Sequence, residues 1–364
     1  MSHGGDIYRN HIHTDHSVSL NPAGTPGEIY EALSLGIAHS AQYPDIRQER
    51  VRRALSASDG VSSECVWAGN GASELIMAIT GFVNPHKAVL FTPCFEGYAH
   101  ALEALDDCEI IRIPLMAGNG FSGTLNDFSL HNLDFCFNHH LAELMPDDAD
   151  MAFICDPWNP VGRNIDESEL MTFLELASAH GIKVLLDESF YHLSDRAAAA
   201  DQRDVERLIR EHPGLFIVRS HTKLFALPGI RMGYVIADEA GISGIRSRLP
   251  EWNLSQPAAY AMEAGAGVIA DGTYVRASLD LIRREREYLM HELGEAGCRT
   301  FKSDSVFIMF QSDVELYEPL LAEGILIRDL RDVPGLGDGY YRICIRTGQE
   351  NERLVSEIRR IRKE

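Results

Sequence analysis

Lys223 and Arg231 stand eight positions apart in the stretch Ser220-His-Thr-Lys-Leu-Phe-Ala-Leu-Pro-Gly-Ile-Arg-Met-Gly-Tyr234. Two apolar runs, Leu215–Val218 and Gly233–Ala237, flank it and read as buried strands. Long charged side chains seldom enter the middle of an α/β protein unless they bind something. A lysine flanked by the hydroxyls of Ser220 and Thr222, with an arginine following, is what an amine needs to form a Schiff base beside a bound phosphate. A connector whose Lys223 and Arg231 simply reach water fits the same residues. The stretch alone leaves both readings open, so other residues must decide.

Several other apolar runs also end in residues that can do chemistry, where ligands of open α/β sheets gather. Gly69-Asn-Gly-Ala-Ser73 leads into a helical pattern, and such a turn points backbone N–H groups at an anion. A plain tight turn has the same composition. Asp187 closes the run Lys183-Val-Leu-Leu; it could cap a helix or hold a heteroaromatic nitrogen protonated. Asn159 lies between two prolines in Asp156-Pro-Trp-Asn-Pro-Val-Gly162, which fixes its turn. Phe95, after Thr92-Pro-Cys, suits either a planar ring or the core.

The elements that must position these residues alternate in type. Apolar runs at Ala88–Phe91, Ile110–Ile113, Met151–Ile154, Val184–Leu186, Leu215–Val218 and Tyr234–Ala237 predict strands. Helical periods at Ser73–Val83, Glu96–Leu105, Glu167–His180 and Arg203–His212 separate most of them. The pattern predicts an α/β fold with a mainly parallel sheet covered on both faces. Glu28–Ile37 predicts a short helix in an otherwise irregular start. Ala258–Ala296 reads as long helical material whose run Arg283-Arg-Glu-Arg-Glu287 is a solvated face. Short strands at Ser305–Phe310, Ile325–Ile327 and Tyr341–Ile345 and a terminal helix from Glu350 complete a smaller α+β unit. We therefore expect an arm over residues 1–45, a large domain over 46–255, and a linking helix with a small domain over 256–364.

With 33 basic against 54 acidic residues, the formal charge of −21 disfavours nucleic acid and anionic membrane surfaces as partners. Cysteines 65, 94, 108, 136, 155, 298 and 344 are odd in number and form no C-x-x-C pair, which predicts reduced thiols and a cytoplasmic setting. No apolar run is long enough to predict a signal peptide or membrane span.

Taken in chain order, the separate pieces resemble one family. Ala68-Gly-Asn-Gly-Ala-Ser-Glu74, Thr92-Pro-Cys-Phe95, Asn159-Pro-Val-Gly162, Asp187-Glu188, Ser220-His-Thr-Lys223, Arg231-Met-Gly-Tyr234 and Tyr341-Arg-Ile343 resemble the fold-type I pyridoxal-phosphate enzymes of the class I/II aminotransferase family. The resemblance implies a large domain on a mainly parallel seven-stranded sheet between helical layers, and pyridoxal 5′-phosphate as cofactor. It implies that Lys223 carries the cofactor and later moves protons, that Asp187 pairs with the ring nitrogen, and that Asn159 and Phe95 hold the ring. It gives the cofactor phosphate to Gly71, Ala72, Ser220, Thr222 and Arg231. Tyr43 resembles the tyrosine that reaches the phosphate of a neighbouring subunit, implying a homodimer. Arg342 resembles the arginine that clamps a substrate carboxylate.

Two branches of the family compete. Histidinol-phosphate aminotransferases and L-threonine-O-3-phosphate decarboxylases share the cofactor motifs, and the chain's two ends resemble the decarboxylases. The relevant pieces are His3-Gly-Gly-Asp-Ile7, Ile325-Leu-Ile-Arg328 and Tyr340-Tyr-Arg-Ile-Cys-Ile-Arg346. This implies a small amino acid substrate, with or without a phosphate, held by His3, Asn21, Arg328 and Arg342. Phe190, where many transaminases carry a tyrosine, fits the same branch. Only the second asparagine of the family's Asn-x-Asn-Pro survives, as Asn21, and Trp158 and Val161 replace polar neighbours of Asn159. A rival from another class is a metal-dependent hydrolase, because His11, His13 and His16 have H-x-H spacing. Its further ligands are missing, His139-His140 being a poor candidate, so no metal is expected. A non-catalytic relative of the same fold is opposed by the intact Lys223, Asp187 and Arg231.

Overall fold

The computed structural model describes residues 4–115, 141–198 and 203–363. His3, His139, His140 and most of the segment 116–150 lie outside the described residues. The first strand and helices are β1 (Thr14–Asp15), α1 (Gly27–Ala38) and α2 (Glu49–Asp59). The large sheet consists of β2 (Val66–Asn70), β3 (Lys87–Thr92), β4 (Glu109–Pro114), β5 (Met151–Cys155), β6 (Lys183–Glu188), β7 (Leu215–Ser220) and β8 (Met232–Ile236). Its order is β2-β8-β7-β6-β5-β3-β4, and only β8 runs antiparallel to its neighbours.

Alternation along these strands feeds two cores. Val89, Phe91, Ala152 and Ile154 belong to one apolar cluster, while Ala88, Leu90, Met151 and Phe153 belong to another on the opposite face. Helix α3 (Ala72–Val83) and α4 (Gly97–Glu103) cover the second; α5 (Glu167–His180) and α6 (Val205–Glu211) cover the first. Both faces being covered is why the strands read as continuous apolar runs.

The strand Val66–Asn70 has no counterpart among the runs expected from sequence, because Gly69 and Asn70 dilute its strand character. The same period places Asp187 and Glu188, adjacent at the end of β6, on opposite faces. Glu188 is buried between two arginines: Arg219 Nη2 lies 2.7 Å from it, and Arg203 bonds its other oxygen. Arg203 also reaches Asp156 at 2.8 Å and Glu167 at 2.8 Å, and Arg219 bonds Asp59. Removing one member of such a network strands buried charge. Glu188→Ala should lower the unfolding free energy toward the low end of about 3–5 kcal/mol, since each arginine keeps another carboxylate. Denaturant titration checks this.

Between β7 and β8 lies α7 (His221–Leu224), and after β8 come α8 (Glu239–Arg246), α9 (Gln256–Asp271) and α10 (Thr273–Glu295). The expected single helix over 258–296 is thus two, broken at Gly272 with φ 74°. Its charge run is also not wholly solvated. Arg286 is buried and donates to Asp195 at 2.6 Å, and buried Glu285 accepts from Asn351 at 2.9 Å. Partners far along the chain hold both side chains, which local patterning cannot reveal.

The smaller sheet has the order β12-β13-β10-β9, built from β9 (Arg299–Thr300), β10 (Phe307–Gln311), β12 (Arg328–Asp329) and β13 (Tyr340–Cys344). Helix α11 (Tyr317–Ala322) precedes β11 (Ile325–Leu326), and α12 (Gly348–Ile361) ends the chain, started by a capping box between Thr347 and Glu350. The arm is anchored at both of its sides: β1 pairs with β11, and Gly36 of α1 lies so close to Pro257 that an added Cβ would sit 2.5 Å from its Cα.

Candidate active site

A cavity of about 260 Å³ opens at the carboxyl ends of the sheet strands, bounded by the large sheet, the smaller sheet and the arm. Lys223 enters it from the single turn α7, directly after β7. Its Nζ lies 5.7 Å from the Phe190 ring centroid. Burial, then the charges of Arg342 and Arg231, lower its pKa to about 8, with Asp187 opposing. Its amine is therefore neutral in a far larger fraction near neutral pH than an ordinary lysine, and the neutral form is the state a nucleophilic amine needs. In cofactor-free protein, carbamylation of Lys223 by cyanate should rise with pH to a midpoint near 8. Arg342→Gln should move that midpoint upward, because a neighbouring positive charge is gone; peptide mapping reads both.

Asp187 faces the cavity from β6. Its Oδ2 accepts from the Tyr98 hydroxyl at 2.7 Å and its Oδ1 from the Ser189 amide at 2.9 Å. Burial raises its pKa, while these hydrogen bonds and the Lys223 charge oppose the rise. Tyr98 escaped the sequence reading. It sits one helical step from Phe95, whose ring meets it edge-on at 5.4 Å, and that spacing was its only signal.

The phosphate-type turn is assembled as its sequence suggests. Gly71 has φ 80° and precedes α3, so the first amides of a three-turn helix face the cavity beside Ala72 and Ser73. A Cβ on Gly71 would stand 2.7 Å from Arg231 Nη2, so the guanidinium lies against the bare backbone of this turn. Arg231 itself has φ 60°, a conformation unfavourable for a side-chain-bearing residue. Ser220 and Thr222 also line the cavity. The Thr222 hydroxyl, however, donates to the Met232 carbonyl at 3.0 Å and accepts from its amide at 2.9 Å. Its hydrogen is committed within the chain, so Thr222 positions the residue after Arg231 instead of donating to a ligand.

Asn159 and Arg342 meet across the two sheets. Arg342 Nη1 donates to Asn159 Oδ1 at 2.6 Å, and Nη2 donates to the Ser17 carbonyl at 3.0 Å. Since guanidinium is donor-only, Asn159 turns its oxygen to Arg342 and keeps its NH2 for the cavity. Arg342 Nε has no partner among the described residues, and burial followed by the Arg328 charge lowers its pKa to about 10. Arg328 pairs with Arg342 directly across β12 and β13, and its Nη1 is likewise without a partner among the described residues. Arg346 turns away, donating to Glu350 at 2.9 Å.

Two expected site residues stand elsewhere. Asn21 does not line the cavity: its Nδ2 donates to the Leu224 carbonyl, the Tyr274 hydroxyl and Ser278 Oγ, and its Oδ1 accepts from the Ala23 amide. It fastens the arm to the Lys223 turn and to α10. Tyr43 is exposed on the surface with its ring 5.2 Å from that of Trp252. Trp158 is core: its indole donates to the Pro93 carbonyl at 2.7 Å and packs edge-on against Phe91. The arm contributes Gly4, from the His-Gly-Gly motif, and Ser17 through Ser19 to the cavity wall; no pattern in Ser17 through Ser19 foretold their place. His11 and His13 are exposed while His16 is buried with Nδ1 donating to the Cys344 carbonyl at 2.9 Å, so the three do not converge. Among the described residues no cluster could hold a metal ion, and no helix is long and apolar enough to cross a membrane.

Comparison with known proteins agrees with this geometry. The chain is 28% identical over 352 residues to the threonine-phosphate decarboxylase of Salmonella typhimurium, covering 95% of this chain and 90% of that one. It is also 28% identical over 352 residues to a histidinol-phosphate aminotransferase of Geobacillus sp., covering 94% and 88%. The histidinol-phosphate aminotransferase of Clostridium acetobutylicum superposes with a TM-score of 0.80 at 24% identity, covering 96% of this chain and 99% of that one, which shows the shared fold. Residues 26–358 match the family model described as aminotransferase class I and II. With a lysine, a carboxylate and a phosphate-type turn converging on one cavity, the chain belongs to the class I and II aminotransferase family, whose cofactor is pyridoxal 5′-phosphate.

Proposed function

We propose that this pyridoxal-phosphate enzyme acts at Cα of a small amino acid bearing a second anionic group, in the manner of an L-threonine-O-3-phosphate decarboxylase. One observation carries the reading. Arg328 and Arg342 are cross-strand neighbours on one cavity, each with a nitrogen that lacks a partner among the described residues. Like charges directly opposite each other cost stability, so the pair calls for two anions. The small cavity supports a small substrate.

The residues present fit the cofactor. Lys223 would anchor it, Asp187 would keep its ring nitrogen protonated, and the Asn159 NH2 would bond the ring hydroxyl, with Phe95 against the ring. The Gly71 turn, Ala72, Ser220 and Arg231 would take its phosphate. When bound, the cofactor supplies an electron sink for the pair left on Cα. Arg342 would hold the α-carboxylate and Arg328 the far anion, and anchoring both ends uses remote binding energy to choose which Cα bond faces the sink. Lys223 moves the proton at Cα, and Gly4 with Ser17–Ser19 excludes water. An aminotransferase is the second reading, favoured by the equal identity to the Geobacillus enzyme. Supplying O-phosphothreonine should release carbon dioxide without a keto acid. Amino transfer to 2-oxoglutarate without gas release would reject the decarboxylase.

A homodimer in the cytoplasm completes the proposal. Tyr30, Leu35 and Ile37 of α1, with Tyr43, Ile46 and Trp252, expose apolar surface on one part of the chain's start and on the segment after α8. From such an interface Tyr43 would reach a partner's cofactor phosphate.

A further inference from the structure

Glu96 is a carboxylate in the cavity that the proposed reaction leaves without a task. It follows Phe95, ahead of α4, and lines the same cavity as Arg328, which faces it from the smaller sheet. The two feel each other's charge yet form no ion pair, and Glu96 has no side-chain hydrogen bond among the described residues. Around Glu96 stand Arg112 of β4, Glu103 of α4 and Arg328; Arg112 is itself within 3.9 Å of Glu103. Around Arg328 stand Asp329, Tyr317 and Asp332 in addition to Glu96.

Charge counting makes this arrangement informative, and it rests on the reading of Arg328 as the holder of a substrate phosphate. With the α-carboxylate on Arg342, a phosphate ester carrying close to two charges would meet Arg328 on one side and an ionised Glu96 on the other. Arg328 cannot balance three negative charges in a partly desolvated space, and Arg112, the other cation near Glu96, is shared with Glu103. We infer that Glu96 and the substrate phosphate share one proton in the bound state, so that this end of the cavity takes up a phosphate monoester together with a proton from solvent. The proton lies between a Glu96 oxygen and a phosphate oxygen as an O–H···O bond and returns to solvent on release. No bond to phosphorus changes. Burial already raises the pKa of the Glu96 carboxyl, with Arg112 opposing, so the proton has a receptive site before the ligand arrives.

The test uses the holoenzyme and 3-phosphoglycerate, which carries a carboxylate and a phosphate but no amine to react, with glycerate as the control. Calorimetry in buffers of different ionisation enthalpy, at about pH 7.5 and so above the ester's second pKa of about 6, counts protons taken up. Wild type should take up about one proton more for 3-phosphoglycerate than for glycerate, and its affinity should fall by up to tenfold per pH unit above that point. In Glu96→Gln the extra uptake should vanish and the pH dependence flatten, while glycerate binding, which reports an intact fold, stays unchanged. Equal proton uptake in wild type and Glu96→Gln overturns the inference alone. If 3-phosphoglycerate binds no more tightly than glycerate, Arg328 holds no phosphate, and both the phosphate reading and this inference fall.

Discussion

Replacing Lys223 by alanine should abolish the visible-edge absorbance of the purified holoenzyme and lower turnover by at least about 10²–10⁴-fold, the contribution of a positioned proton-transfer group alone. The effect is large because no other amine lines the cavity among the described residues. Arg231 and Arg342, the nearest cations, are guanidinium groups that do not give up their protons to act as bases. A spectrum taken at equal cofactor content checks the first part, and single-turnover kinetics the second. An unchanged band would reject Lys223 as the anchor. Added methylamine should restore part of the proton transfer but not the band's retention through gel filtration.

Arg342→Ala should weaken substrate binding by about 2–5 kcal/mol, the range for removing one partner of a buried, hydrogen-bonded charge pair. Cofactor affinity should change far less, because Arg342 meets the cofactor's neighbourhood only through Asn159. Arg342→Lys should recover little, since one ammonium cannot bond Asn159, the Ser17 carbonyl and a carboxylate in the planar arrangement that guanidinium allows. Titrating substrate and cofactor separately distinguishes the outcomes, and equal losses would make Arg342 a structural brace between the sheets.

What could be read from the sequence was whatever depends on near neighbours. Strands buried on both faces announced themselves as apolar runs, and Lys223, Arg231 and the Gly71 turn sit where one strand ends and the next element begins. Residues whose roles depend on distant partners were harder to read. Asn21 was read as a ligand group from its place in the family's Asn-x-Asn-Pro motif, yet three of its bonds go to residues over two hundred positions away. Thr222 lines the cavity, but its hydrogen is committed within the chain. Arg328 and Arg342 were visible through the motifs that resemble the decarboxylases; that they are cross-strand neighbours needed the register. Tyr98 and Glu96 were hidden because a helix start gives no periodic signal for what points inward.

The arm's union with the smaller sheet also bears on how the molecule comes into being. β1 pairs with β11, and His16 bonds the carbonyl of Cys344, 328 positions later. All seven strands of the large sheet lie between Val66 and Ile236, so a chain leaving the ribosome can lay down that sheet while its final third is still unmade. The arm then waits for partners that are translated almost last. Lys223, Asp187 and Arg231 belong to the early body, whereas Arg328, Arg342 and the wall of Ser17–Ser19 close only at the end of synthesis. Cofactor capture thus has a head start over substrate recognition, and a nascent protein acquires its reactive centre before it acquires its selectivity.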